Sequence, residues 1–340
     1  MEDLSDVARF APNVSFDETA AVSGSTIAST VFIRGIGQTD FTLNNDPGVG
    51  VYLDGVYIAR SVGSLLDLVD VESVEVLRGP QGTLFGKNTI GGAINVTSRR
   101  PDSDGGGYIE LQGGNFSRAN IKAGFDIPIS DTLVANVAGA FLTQDGYQER
   151  ILQPDEPNLG DINRFVVRGR MIWTPVEAFE ADLNLDVTRV REESTPQSVL
   201  EFVPDTSFGG SPGGPFLAAA GGVIPGTTAT LRPEFVDSGF VGGDLLSGRF
   251  VNTSEDGTSV DPRRTFYGGP SRSDADVFGA ALTLTYGGGG FEVKSISAYR
   301  EVLSDFARDS TSSPFLVGDT FDSYDQNQFS QEIQLLGELV

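Results

Sequence analysis

The sequence predicts a mixed α/β N-terminal domain followed by an antiparallel transmembrane β-barrel. Three observations predict it. Short strand-and-turn motifs fill residues 1–101. From residue 108 onward apolar and polar residues alternate with a period of two, the signature of strands with one apolar and one polar face. The connections between the alternating segments sort into short ones and long ones.

In the first part, Val31-Phe32-Ile33-Arg34-Gly35 reads as a strand ending in a turn. Residues 49–53, Asp54-Gly55 and 56–58 read as a hairpin, because both central positions of a tight hairpin turn need positive φ. Residues 65–68 read as a helical turn, 71–77 as a strand stopped by Gly79-Pro80, and 93–97 as the last strand. Arg99-Arg100-Pro101 then leads into an Asp/Ser/Gly linker over 102–107.

In the second part, Ala119, Ile121, Ala123, Phe125, Ile127 and Ile129 alternate with Arg118, Asn120, Lys122, Gly124 and Asp126. Residues 179–188 and 277–286 repeat the pattern. About eight strands are expected, starting near Tyr108, Arg118, Thr132, Asn163, Phe179, Val277, Phe291 and Phe329. The connections at Ser130-Asp131, 174–178 and 287–290 are short; those at 145–162, 192–275 and 304–327 are long. A membrane barrel has this asymmetry, with tight periplasmic turns and long outer loops. Trp173, Phe179, Tyr286 and Phe291 sit near strand ends, where an interfacial aromatic girdle belongs. A soluble β-sandwich also alternates, but its loops need not sort this way. The segment 192–275 holds 11 acidic against 5 basic residues and reads as a disordered insertion or an external loop.

Composition narrows the chemistry. The 340 residues include no Cys and no His. That removes disulfides, thiolate chemistry, His-based triads and His-ligated metal. A formal charge of −24 argues against a nucleic-acid partner, which would call for a basic face. No apolar run approaches the ~18–20 residues of a spanning helix, a test that strands of a barrel pass unseen. The first residues have neither a basic nor an apolar signal region, so the sequence is expected to begin downstream of one.

Four motifs in the first hundred residues carry a family resemblance. They are Phe32-Ile33-Arg34-Gly35-Ile36-Gly37, then Val51-Tyr52-Leu53-Asp54-Gly55-Val56-Tyr57, then residues 71–86 (VESVEVLRGPQGTLFG), then Ile90-Gly91-Gly92-Ala93-Ile94-Asn95-Val96. In this order and spacing the series resembles the plug domain of TonB-dependent receptors. Residues 329–335 (FSQEIQL) look like a barrel strand of the same family.

The resemblance implies a plug over 1–101, a linker over 102–107 and a partial barrel over 108–340. The barrel would hold about eight of the ~22 strands that enclose a plugged lumen. The TonB-contacting segment is expected upstream of residue 1, and further strands beyond Val340. The implied function is active uptake of a large scarce nutrient across the bacterial outer membrane. A ferric siderophore comes first; cobalamin or a glycan, or a passive porin or adhesin, are the alternatives. The implied partners are TonB with ExbB and ExbD, outer-membrane lipid and lipopolysaccharide. A monomer with no cofactor and no enzymatic activity is expected. In the family, plug arginines beside glycine pair with barrel glutamates, which nominates Arg34 and Arg78 with Glu332 as a latch. Substrate contacts are expected from plug loops: Gln38, Thr39, Phe41, Asn44, Asn45, Asp46, Arg60 and Ser61. Amides, a carboxylate and an aromatic among them suit a polar chelate, whereas an ordinary solvated loop would carry the same residues.

Overall fold

A computed structural model describes residues 4–17, 23–39, 42, 45–64, 66–198, 230–231, 261–309, 312, 315–316 and 318–337. The N-terminal part contains a 3-10 helix over Leu4–Arg9 and strands β1 (Val14–Asp17), β2 (Thr30–Ile33), β3 (Ile36–Gly37), β4 (Val49–Leu53), β5 (Val56–Ile58) and β6 (Val71–Arg78). A one-turn helix α1 (Gly82–Phe85) and strand β7 (Gly92–Ser98) follow. Strands β1, β2 and β3 form one small sheet. A second sheet has the order β5-β4-β7-β6, with β4 and β7 parallel.

Two tight turns set this geometry. At Asp54-Gly55 φ is 50° and 80°, as the hairpin reading requires, and Leu53 pairs with Val56. Arg34-Gly35 repeats the device at 54° and 80° between β2 and β3. The Asp54 carboxylate accepts from the Ser98 amide at 2.8 Å and from its hydroxyl at 2.9 Å, tying the hairpin tip to the end of β7. Leu4, Val7, Val31, Ile33, Val51, Ile94 and Val96 form the apolar core between the two sheets. The expected helical turn at 65–68 is not formed over Leu66, Asp67 and Leu68, and Leu65 lies outside the described residues.

The C-terminal part is one sheet of eight antiparallel strands with nearest-neighbour order. In chain order come β8 (Gly106–Gly113), β9 (Ala119–Ser130), β10 (Leu133–Gln144), β11 (Glu149–Arg150), β12 (Ile162–Val176) and β13 (Phe179–Glu192). Then come β14 (Thr230–Leu231), β15 (Arg264–Thr265), β16 (Arg272–Gly288), β17 (Phe291–Asp309), β18 (Phe315–Leu316) and β19 (Asp319–Gly337). The pairs β11–β15 and β14–β18 stand apart as two-stranded sheets in the long connections. The turns after β9, β12 and β16 are short; the connections after β10, β13 and β17 are longer and lie at the other end. The central part of 192–275 lies outside the described residues.

One expectation fails here. The connection placed at 304–327 is mostly strand: β17 continues to Asp309 and β19 begins at Asp319. Asp319, Ser323, Asp325 and Asn327 are polar on the face that elsewhere carries apolar residues, so the alternation vanishes from the sequence although the pairing persists.

The sheet is amphipathic in the sense opposite to a soluble protein. Its exposed face carries Ile121, Phe125, Phe141, Phe165, Trp173, Phe278, Tyr286 and Phe329. Its buried face carries Asn120, Lys122, Asn136, Arg168, Asp182 and Arg300. The N-terminal domain sits on that polar face. Apolar patches help seat it: Val69 packs with Ala138, Ala140, Leu142 and Val166, and Ile27, Ala28 and Val62 pack with Val190, Val277 and Val302.

Candidate functional site: the outer plug loops and the seam with the wall

Orientation follows from the turns. Strand β7 ends at Ser98, and the chain enters β8 from the short-turn end of the sheet. Parallel β4 and β7 both start at the opposite, long-loop end. The described loop residues 38–39, 45–48, 59–64 and 79–91 therefore lie on the side of the long connections.

There, Arg60 Nη1 meets Asp46 Oδ1 at 2.8 Å and Lys87 Nζ lies 3.6 Å from Asp46 Oδ2. Hydrogen bonding from Asn88, with Arg60 and Lys87 alongside, holds the Asp46 carboxyl below its usual range. Asn88 also donates to the Tyr57 hydroxyl at 3.0 Å. Gln38, Arg60 and Ser61 line one narrow cleft with Pro47, Gly48 and Ser64. The Ser61 carbonyl fixes this floor, accepting from the Ser64 hydroxyl at 2.6 Å and from the Ser29 amide at 3.2 Å. Thr39 and Asn45 are exposed, and Asn45 donates to Thr42 at 3.3 Å. Phe41 and Asn44 lie outside the described residues. The structure thus brings together Gln38, Arg60, Ser61 and, through its ion pair, Asp46.

The latch residues are placed differently. Arg34 lies exposed on its turn, and Arg78 donates to the Pro12 carbonyl at 3.1 Å. Glu332 is on the luminal face of β19 and accepts from Gln334 at 2.7 Å. Among the described residues neither arginine forms an ion pair with Glu332. Glu332 does sense the plug: burial pushes the Tyr52 hydroxyl up to about 12, and the charges of Tyr57 and Glu332 add to it.

The seam uses other residues. Arg164, Arg168 and Arg170 share the luminal face of β12. Arg164 holds Glu192 of β13 at 2.7 Å and reaches Asp67 of the plug at 3.1 Å. Arg168, buried, donates to the carbonyls of Asp67 and Val69 at 3.1 and 3.2 Å. Arg170 grips Asp182 with two bonds, 3.1 and 2.7 Å, and gives a third to the Ser98 carbonyl at 2.7 Å. Asn136 of β10 donates to Asp70 at 2.9 Å, and Arg99 bridges Asp70 and Asp126 at 2.9 Å each. Guanidinium groups suit such a seam because five fixed donors can serve a carboxylate and a carbonyl at once. The sequence signal was three arginines at even-numbered offsets, four and two residues apart, on one face of a strand; their partners on the plug are largely backbone carbonyls and leave no trace in it.

The exposed face supplies the remaining geometry. Trp173, Phe179, Tyr286 and Phe291 ring the short-turn end, with Trp173 and Phe179 edge-on at 6.1 Å. Phe165, Phe278, Tyr299 and Phe329 form a second ring toward the other end. From Tyr286 to Phe278 the strand covers about 26 Å, or about 20 Å after a ~40° tilt, close to the ~25 Å apolar band of outer-membrane barrels.

Residues 1–93 match the family profile described as the TonB-dependent Receptor Plug Domain. These 93 residues are a plug domain of the TonB-dependent receptor type. The pesticin receptor of Yersinia pestis is 44% identical over 114 residues, 33% of this chain and 16% of that protein. The ferrioxamine B receptor of Salmonella typhimurium is 37% identical over 101 residues, 28% of this chain and 13% of that one. Among solved structures, the ferric yersiniabactin uptake receptor FyuA of Yersinia pestis superposes with a TM-score of 0.68 at 20% identity. It covers all of this chain, which spans 44% of it. The fold is accordingly a plug seated on part of an antiparallel barrel, and the receptor's place is the bacterial outer membrane.

Proposed function

We propose that the complete receptor imports a scarce nutrient complex, a ferric siderophore first, by TonB-dependent transport. The observation that carries this reading is a plug bound to the polar face of a wall whose other face is apolar and exposed. Such a wall suits lipid outside and a gated lumen inside. The named relatives support the substrate class, since two are receptors or uptake proteins for siderophore-type ligands by their descriptions. A vitamin B12 transporter of Vibrio vulnificus, 28% identical over 148 residues, keeps cobalamin as the second reading. A glycan, or a passive porin, follows behind.

In this reading Gln38, Thr39, Phe41, Asn44, Asn45, Asp46, Arg60 and Ser61 meet the substrate from outside. Arg34, Arg78 and Glu332 form the latch once the plug is under load. The plug spans 1–101, the linker 102–107 and the barrel wall 108–340. The receptor binds and gates; it makes no covalent change in its substrate. TonB with ExbB and ExbD supplies the force, the receptor works as a monomer, and outer-membrane lipid and lipopolysaccharide surround the wall.

Uptake of a ⁵⁵Fe-siderophore by cells carrying the full-length gene, with and without functional TonB, tests this. Uptake that needs TonB is the expected result. Uptake that persists without TonB would make the protein a passive pore. No uptake in either strain would displace iron chelates in favour of cobalamin.

A further inference from the structure

Residues 23–29 lead into β2 outside any strand or helix, and all of them are buried except the half-buried Thr26. Backbone groups enclosed in this way must find partners inside the protein. They find them on two sides. Toward the outer cleft of the plug, the Ile27 carbonyl accepts from the Gly63 amide at 3.0 Å, Ala28 bridges Val62, and the Ser29 amide donates to the Ser61 carbonyl at 3.2 Å. The Ser29 hydroxyl meets that of Ser64 at 2.6 Å. Toward the wall, the Thr26 amide donates to the Ser273 hydroxyl of β16 at 2.8 Å, and the two hydroxyls lie 3.0 Å apart. Arg164 of β12 donates to the Thr26 carbonyl at 3.4 Å. Strands β12, β16 and β17, which receive this stretch, each have a sheet neighbour on both sides.

The same stretch meets the long connections. The Gly24 carbonyl accepts from the Thr195 amide, just beyond β13, at 3.2 Å. Gly24 has a φ of 77°, and the Arg308 side chain of β17 covers it so closely that a Cβ there would fall 2.8 Å from Arg308 Cδ. The three connections in turn close on one hydroxyl. Tyr267, buried ahead of β16, donates to the Pro270 carbonyl at 2.6 Å and accepts from the Asp309 amide, at the end of β17, at 2.7 Å. Its hydroxyl also lies 3.1 Å from that of Ser194, the neighbour of Thr195. Arg150 of β11 lies over the Tyr267 ring at 5.4 Å and holds Glu193 at 2.7 Å.

We propose that residues 23–29 are a strap that couples the floor of the outer cleft to the external connections. Ser273 keys the strap to the wall, and the Tyr267 hydroxyl joins the connections into one body. A displacement of Ser61 and Ser64 is carried through Ile27 and Ser29 to Thr26 and Gly24, and from there to Thr195 and the Tyr267 cluster. Such coupling is reciprocal, so a change at the connections alters the cleft floor by the same free energy. Its use during import, with cargo in the cleft setting the posture of the connections, rests on the transport reading above.

Amide exchange in the complete receptor, without substrate, tests the strap. Gly24→Ala should displace it, because alanine is strained at this φ and meets the Arg308 side chain. The Glu149 and Ile151 amides belong to a different connection from the one Gly24 bonds, and are held by the Arg263 and Thr265 carbonyls at 2.8 and 2.9 Å. Their exchange should rise about tenfold in Gly24→Ala. Tyr267→Phe keeps the ring under Arg150 and removes the hydroxyl. Exchange at Ser29 and Gly63, on the cleft side of the strap, should then rise by a similar factor. Changes confined to the side that carries the substitution overturn the coupling. Thr26→Cys with Ser273→Cys supplies a reading free of destabilised variants, because the chain has no cysteine of its own. Closing that disulfide should slow exchange at Glu149 and Ile151 about fivefold relative to the reduced form. Equal exchange in the two forms overturns the strap. Uptake enters neither measurement, so absence of TonB-dependent uptake would sink the transport reading and leave the coupling standing.

Discussion

Arg170 of β12 and Ser98 of β7 are 2.7 Å apart, guanidinium to carbonyl, and this bond crosses from the wall to the plug. The same guanidinium is held in place by Asp182 of β13, and both side chains of that pair are 9% exposed. Removing one partner of an enclosed ion pair leaves the other charge stranded, at a cost of about 3–5 kcal/mol. Arg170→Met in the complete receptor should therefore lower the denaturation midpoint in detergent and loosen the plug. Arg170→Met with Asp182→Leu should recover most of the midpoint but not the plug docking. Equal midpoints for the single and double variants would show that the pair carries no buried charge.

The membrane band gives a depth-dependent prediction. Leu282 lies on the exposed face of β16, midway between the two aromatic rings, and Asn163 lies just above the upper ring on β12. Arginine at mid-depth should cost about 2–4 kcal/mol and near the interface about 1 kcal/mol or less. Leu282→Arg should thus impair folding into lipid vesicles far more than Asn163→Arg, as read by urea titration. The same penalty at both positions would mean that this face does not meet lipid.

Much of the fold was readable wherever one physical rule governed a stretch. In β9, β13 and the membrane half of β16, lipid on one side and a polar lumen on the other impose strict alternation. At Asp54-Gly55 the turn chemistry alone fixes a hairpin. The outer half of β19 was unreadable because above the upper ring its outer face carries Asp319, Ser323, Asp325 and Asn327 and its inner face mixes polar residues with the buried Tyr324, which packs edge-on against Phe306, so no apolar period survives. The cleft residues Gln38, Arg60 and Ser61 were nominated from loop position. Their convergence, however, depends on the Ser61 carbonyl and on Asp46, which no spacing rule reveals. Arg164, Arg168 and Arg170 stood in plain alternation, but a carbonyl acceptor such as that of Ser98 has no sequence signature.

Glu332 supplies a test of the proposed latch. It faces the plug from β19 and adds to the upward shift of the Tyr52 hydroxyl. If Arg34 or Arg78 engages it in the complete receptor, Glu332→Gln should weaken that charge-assisted contact and raise the pore leak in planar bilayers. Arg34→Gln should then produce a similar leak, and the double variant little more than either alone. Additive leaks would assign the two residues to separate contacts.

Asp161, at the outer end of β12, gives the pH prediction. Its carboxyl accepts from the Glu193 amide at 2.9 Å. Burial pushes its pKa up to about 6; the Glu193 amide opposes this and the neighbouring Glu192 and Glu193 charges reinforce it. The unfolded value is about 3.9, so between that pH and about 6 the folded state binds the extra proton. A raised carboxyl therefore favours the folded arrangement at low pH, and that contribution is lost as pH rises through about 6. The connection 145–161, which Arg150 ties to Glu193 at 2.7 Å, should be tighter at pH 5 than at pH 7.5. Amide exchange in this segment, corrected for intrinsic pH dependence, should show greater protection at the lower pH. Asp161→Asn should remove most of the difference. A wild-type segment equally protected at both values, or an Asp161→Asn profile that still changes, would place the titrating group elsewhere.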